Sequence, residues 1–283
     1  MALRLASRHG VASVALHSRT AEPPTPTPRR PPLLLLHGLF GSSSNFRQLA
    51  RRCSEALGVR AFHPDLRNHG LSPWTEDCSF EAMAADIVAL LDRERVGRAT
   101  LCGHSLGGKA VMAAAMLHPD RVAGVICVDI APLEYAGGSK EWRGNEAIKA
   151  AMHAMPAEAM KSRAAADVEL QRVVADAGVR QFLLQNLIPD ERRWRLNLAA
   201  LIKASDVLRS FPQLPAAPPS LPACFIAGEK SNYLVSDEQR AAARACFPSA
   251  SFETAPTGHW VHAEAPDLFV QLVCNFCKQL PDE

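Results

Sequence analysis

The chain has 283 residues, 48% of them hydrophobic and 21% charged, with a formal net charge of +2. Such a length supports one large α/β core with a modest insertion, and the composition excludes a disordered or fibrous protein. Scattered basic residues and so small a charge surplus give no electrostatic reason to hold nucleic acid or an anionic membrane surface, so the expected partner is a small-molecule substrate.

Met1 to Ala21 contains no acidic residue and sets Arg4, Arg8 and Arg19 among Leu, Ala, Ser and Val. That is the composition of an organelle transit peptide; a first strand over Val11 to Leu16 is the competing reading. Pro and Thr then dominate as far as Pro32, which predicts an extended connection, so residues 1–32 are set apart from the fold proper. Leu33 to Leu36 is a short apolar run that ends at His37-Gly38, as a buried parallel strand does where it enters a glycine-rich loop. Val59 to His63, Ala99 to Cys102, Val122 to Ile130 and Ala223 to Ala227 repeat the pattern. Between them, Phe80, Met83, Ala84, Ile87, Leu90 and Leu91 mark one face of a helix, with Ser79 as its N-cap. Alternating strands and helices predict a mostly parallel, doubly wound α/β sheet.

Residues 131–215 break that rhythm. They carry helical patterns at Val179 to Leu187 and Leu196 to Leu208 but no convincing strand, which predicts a helical cap over the carboxyl edge of the sheet. The core is then 33–130 with 216–283. Eight cysteines sit mostly among apolar residues, as in a reducing compartment, and Cys274 and Cys277 read as the buried side of a C-terminal helix rather than a metal knuckle. No metal site is expected. No apolar run approaches the roughly 20 residues that span a bilayer.

Gly103-His104-Ser105-Leu106-Gly107 follows one predicted strand and precedes the helical stretch Gly108 to His118. In that context G-x-S-x-G holds a serine in a strained turn at the sheet edge, with the flanking glycines removing side chains that would collide with strand and helix. Ser105 is therefore the candidate nucleophile. The amide of Leu106 and that of Leu39, in the loop His37-Gly38-Leu39-Phe40-Gly41, are the candidate oxyanion donors. His37, Phe40 and His104 are expected to contact substrate, and His69 to border the same pocket. A serine hydroxyl needs an adjacent base, and His259, on a loop after the strand-like Ser251 to Ala255, is preferred over His262. For the acid, Asp129 at the end of a strand is preferred, with Glu229 and Asp206 as alternatives; Ser231 cannot supply a carboxylate. The cluster from Asp65 to Ser72 reads as a network that braces the nucleophile loop.

HGLFGSSSNF, DLRNHGLSP, GHSLGGKAVM, VDIAP, VRQFLLQNL, WRLNL and GHWVHAEAP span nearly the whole chain after the Pro-rich stretch. With them the sequence resembles the α/β-hydrolase superfamily, and within it the group of α/β-hydrolase domain-containing protein eleven and its bacterial esterase relatives. The resemblance implies the α/β-hydrolase fold and a cofactor-free carboxylic-ester hydrolase acting on acyl substrates, mitochondrial in eukaryotes, with Ser105 and His259 at matching positions. A cytoplasmic or other organellar address is the alternative. Ser231 stands where much of the superfamily has its acid, so the resemblance leaves that partner open. The expectation is thus a serine esterase or thioesterase; rivals are carbon-carbon bond hydrolysis on the same residues and a non-catalytic ligand-binding protein.

Overall fold

The computed structural model describes residues 11–27, 29–136 and 140–281. Arg4 and Arg8, on which the transit-peptide reading leans, lie outside them. The strand proposed at Val11 to Leu16 forms later, as β1 (Ser18–Ala21). It is followed by β2 (Leu33–Leu36), α1 (Arg47–Leu57), β3 (Ala61–Pro64), α2 (Phe80–Arg93), β4 (Ala99–His104), α3 (Leu106–Leu117) and β5 (Val122–Val128). Next come α4 (Lys140–His153), α5 (Arg163–Leu170), α6 (Ala177–Leu184), the short strands β6 (Leu187–Ile188) and β7 (Arg193–Trp194), α7 (Leu198–Lys203) and α8 (Ser205–Arg209). The chain closes with β8 (Ala223–Gly228), α9 (Asp237–Cys246), β9 (Ala250–Ala255), α10 (Val261–Glu264) and α11 (Pro266–Gln279).

Among the described residues one sheet runs in the order β1-β3-β2-β4-β5-β8-β9. Every pairing in it is parallel except that of β1, which lies antiparallel on β3 at the edge. Helices α2 and α3 contribute to the core on one face, α1 and α11 on the other, so strands such as β2 are buried on both sides. All four leucines of β2 are 0% exposed, which is why this strand reads as an unbroken apolar run rather than an alternating one. Each contributes about 1.5–3 kcal/mol of burial. Ser79 does cap α2, accepting from the amide of Ala82 at 3.3 Å.

The segment between β5 and β8 departs from expectation in detail. Helix α6 starts at Ala177 because the Asp176 carboxylate accepts from the Val179 amide at 2.8 Å, and it stops at Leu184. Leu187 belongs instead to a hairpin, Leu187 opposite Trp194 and Ile188 opposite Arg193. With two residues per strand this hairpin leaves no alternating pattern to read. The predicted helix from Leu196 to Leu208 is divided at Ala204 into α7 and α8.

Three contacts fasten this segment to the rest of the chain. Asn186 donates to the Phe40 carbonyl at 2.8 Å, and Asn197 donates through its backbone to the Asn68 carbonyl at 3.0 Å. Lys109, on the otherwise apolar α3, donates to the carbonyls of Leu208, Arg209 and Ser210 at 3.3, 2.8 and 2.6 Å. These oxygens lie at the C-terminal end of α8, where carbonyls lack intrahelical partners and a cation is favoured. Burial pulls the Lys109 amine down to about 7. No helix among the described residues is long and apolar enough to cross a membrane.

Candidate active site

Ser105 separates β4 from α3 with φ 52 and ψ −117, a conformation few non-glycine residues adopt. The turn holds because its neighbours leave no alternative. A Cβ on Gly103 would stand 2.2 Å from the Gly107 carbonyl oxygen, and one on Gly107 would stand 2.5 Å from that of His37. The Ser105 amide donates to Val128 at 3.0 Å, which ties the turn to the end of β5.

Asp129 follows directly, also strained, with φ 51. Its amide donates to the Ile226 carbonyl of β8 at 2.8 Å, and its carboxylate is fully buried. A buried carboxylate needs donors. Oδ1 accepts from the Gly228 amide at 2.9 Å, while Oδ2 accepts from the Ser231 hydroxyl and pairs with His259 Nδ1 at 2.7 Å. Ser231 is thus a hydrogen-bond partner of the Asp129 carboxylate, a contact sequence reading missed. Glu229 is exposed, and the Asp206 side chain, 91% exposed, pairs with Arg209.

His259 lies on the loop after β9. Its ring centroid lies 4.3 Å from that of Tyr233 and 4.6 Å from that of His104, and its carbonyl accepts from His104 Nε2 at 2.8 Å. His262, the competing base, is buried against Phe46, Phe269 and His104, and burial lowers it to about 3. His104 is likewise held well below the ordinary histidine value by burial.

Ser105 and His259 face one cavity of about 450 Å³, whose lining includes Leu39, Phe40 and His104 from the core. Ile148, Val179, Phe182 and Leu183 from the segment between β5 and β8 line its other side, so it is mostly apolar. Leu39 and Leu106 also meet Ser105 around a second, far smaller cavity.

His37 and His69, expected at the pocket, line neither. His37 is 1% exposed, accepts from the Leu66 amide at 3.0 Å through Nε2 and pairs with the Gly38 carbonyl through Nδ1 at 2.9 Å. Both ring nitrogens are committed, and burial keeps the ring neutral by lowering its pKa. Burial likewise takes His69 down to about 3.

The Asp65 cluster braces a different loop from the one expected. Asp65 accepts from the amides of Ser43 at 2.5 Å and Leu71 at 2.9 Å, so it shapes the turn after β2 that carries Leu39. Arg67 and Asp86, both about 1% exposed, form a two-pronged pair at 2.7 and 2.8 Å, and Asp86 also accepts from the Val14 amide. That pair locks β3's loop to α2 and the N-terminal segment, and breaking it would strand a buried charge. Among the described residues no cluster of three or more His, Cys, Asp or Glu could hold a metal ion.

Residues 33–272 match the model of the alpha/beta hydrolase family. The chain is 40% identical over 249 residues to the sn-1-specific diacylglycerol lipase ABHD11 of Mus musculus, covering 87% of this chain and 80% of that protein. It is 37% identical over 246 residues to esterase YbfF of Escherichia coli (strain K12), covering 87% and 92% respectively. A solved marine microorganism esterase superposes with a TM-score of 0.86 at 31% identity, covering 93% of this chain and 99% of that one.

Proposed function

The chain belongs to the alpha/beta hydrolase family and is a carboxylic ester hydrolase, and we propose that it opens its ester through an acyl-enzyme on Ser105, with His259 as base and Asp129 as the acid that orients it. The observation that carries this reading is the bond between His259 Nδ1 and Asp129 Oδ2 beside a cavity that both Ser105 and His259 line. With Nδ1–H donated to a carboxylate, Nε2 keeps its lone pair for the serine proton. Ser105 Oγ then attacks the acyl carbon, and the amides of Leu39 and Leu106 receive the oxyanion. His259 returns the proton to the leaving oxygen, and water repeats the sequence to free the acid. Thioesters are opened by the same steps.

Residues 131–215 act as the cap, since they supply the apolar wall that excludes water from the reacting centre. The apolar lining supports a substrate with at least one bulky apolar group. Ser105→Ala should lower kcat on simple acyl esters at least about a thousandfold and abolish fluorophosphonate labelling. Retained turnover would overturn the assignment.

The acid-free, arginine-bearing N-terminus supports a mitochondrial address, with a leader that ends before Val11 because Val14 and Leu16 are built into the fold. Imaging a chain that lacks residues 1–10 tests it, and unchanged organellar targeting would refute it.

A further inference from the structure

Two cavities of very different size meet at Ser105. The larger, about 450 Å³, touches Ser105, His104 and His259. The smaller, about 30 Å³, touches Ser105, Leu39 and Leu106 but not His259, and is lined by Lys109, Ile130, Tyr135, Trp142 and Leu208 among others.

The reaction proposed above assigns a direction to each. In the tetrahedral intermediate the acyl carbon carries Ser105 Oγ, the oxyanion, the leaving oxygen and the acyl chain. The oxyanion faces the amides of Leu39 and Leu106. The leaving oxygen must lie within reach of His259 Nε2, because that nitrogen delivers its proton. The acyl chain occupies the remaining direction, away from His259 and over the start of α3. That is where the small cavity lies.

We infer that this enzyme divides its ester unequally: the small cavity takes a short acyl group, and the large apolar cavity takes a bulky apolar alcohol or thiol. The inference rests on the Ser105 and His259 roles proposed above. On the same measure the two cavities stand at about 30 and about 450 Å³, so the side away from His259 is much the more confined.

The wall of the small cavity is also fixed in place. Lys109 holds the carbonyls of Leu208, Arg209 and Ser210, which fixes the backbone that carries the Leu208 side chain. Tyr135 is pinned on the other side, accepting from the Ala131 amide at 2.8 Å and donating to the Tyr233 carbonyl at 2.6 Å. A longer acyl chain would have to break one of these clamps, whereas the leaving group meets a cavity about fifteen times larger. Ile130 and Leu208 are the residues that set the limit.

Covalently, the Ser105 Oγ–acyl bond forms as the acyl–oxygen bond of the ester breaks. The serine proton passes through His259 to the departing alkoxide, and water later supplies the hydroxyl of the released acid.

Hexyl acetate and ethyl hexanoate test this directly, because they are isomers that differ only in which side of the ester is long. The full-length enzyme should cleave hexyl acetate with at least about tenfold higher kcat/KM, since one surplus methylene in a confined apolar pocket already costs about that much. Leu208→Ala should raise kcat/KM on ethyl butanoate at least about tenfold relative to ethyl acetate and leave the profile across alkyl acetates unchanged. Ile130→Val, a milder change, should extend the tolerated acyl chain by one carbon. Equal or better turnover of ethyl hexanoate that still vanishes in Ser105→Ala would overturn the division of the ester alone. Turnover of either isomer that survives Ser105→Ala, or no Ser105-dependent turnover of either, would overturn the mechanism beneath it as well.

Discussion

Replacing Asp129 by Asn keeps the shape of the side chain and changes one thing, the identity of the atom that faces His259. The buried backbone decides which atom that is. Gly228 N–H points at Oδ1 from 2.9 Å and cannot turn away, so the amide oxygen of an asparagine must occupy that place. Its NH2 then faces His259 Nδ1, which has to become an acceptor, and the proton moves to Nε2, where it blocks transfer from Ser105. Flipping the amide restores the productive tautomer but sets NH2 against the Gly228 N–H, which costs about 1–3 kcal/mol for an unmet buried donor. Ser231 gives no help, because its hydroxyl can rotate to accept as readily as it donates. Losing the carboxylate charge opposite the imidazolium adds to the barrier. A total of about 4–5.5 kcal/mol corresponds to a fall in kcat of about 10³ to 10⁴. Steady-state kinetics on an alkyl acetate, beside a thermal melt to show that the variant is folded, reads the effect. A folded Asp129→Asn enzyme with kcat within tenfold of wild type would refute the assignment of Asp129 and the tautomer argument together.

Ser231→Ala removes one donor from Asp129 Oδ2 and should lower kcat about tenfold, the worth of a charge-assisted hydrogen bond at its lower end, with KM unchanged. An unaltered kcat in steady-state assays would show that the hydroxyl does not support the carboxylate. His262 is neutral in the fold, its value lowered to about 3, while the unfolded chain takes up a proton near pH 6.5. Its contribution to stability is therefore complete above pH 6.5 and is lost as pH falls toward 3, by up to about 1.4 kcal/mol per pH unit. His262→Leu should flatten the decline of urea midpoints between pH 7 and pH 4, and a decline parallel to wild type would contradict this. Gly107→Ala would place a Cβ 2.5 Å from the His37 carbonyl oxygen and 2.7 Å from that of Leu36, both backbone atoms. Such overpacking should cost about 1–3 kcal/mol, visible as a lower melting temperature; an unshifted melt would deny the contact.

The residues legible in the sequence are those whose geometry is written locally. Strand β4, the turn at Ser105 and helix α3 follow one another without a break, and the sterics of a few backbone atoms explain both glycines of the motif. The apolar run of β2 and the amphipathic face of α2 are legible for the same reason, since burial repeats at the period of each element. The hairpin of β6 and β7 is too short for any period, and the break between α7 and α8 leaves the apolar spacing intact. The place of Asp129 at a strand end favours it as the acid, but its contact with His259 was beyond local reading because 130 positions separate the two residues. They become neighbours only because β5, β8 and β9 lie side by side in parallel, so that the chain leaves all three at the same sheet edge. That arrangement also brings Ser231 to the carboxylate, and neighbouring turns take His37 below the floor of the site although it begins a loop that lines it. Sequence by itself determined which side chains could do chemistry. Which of them touch, and how much room stands on either side of the serine, was decided by packing between segments far apart in the chain, because distance through space is set by the whole sheet and not by any stretch of it.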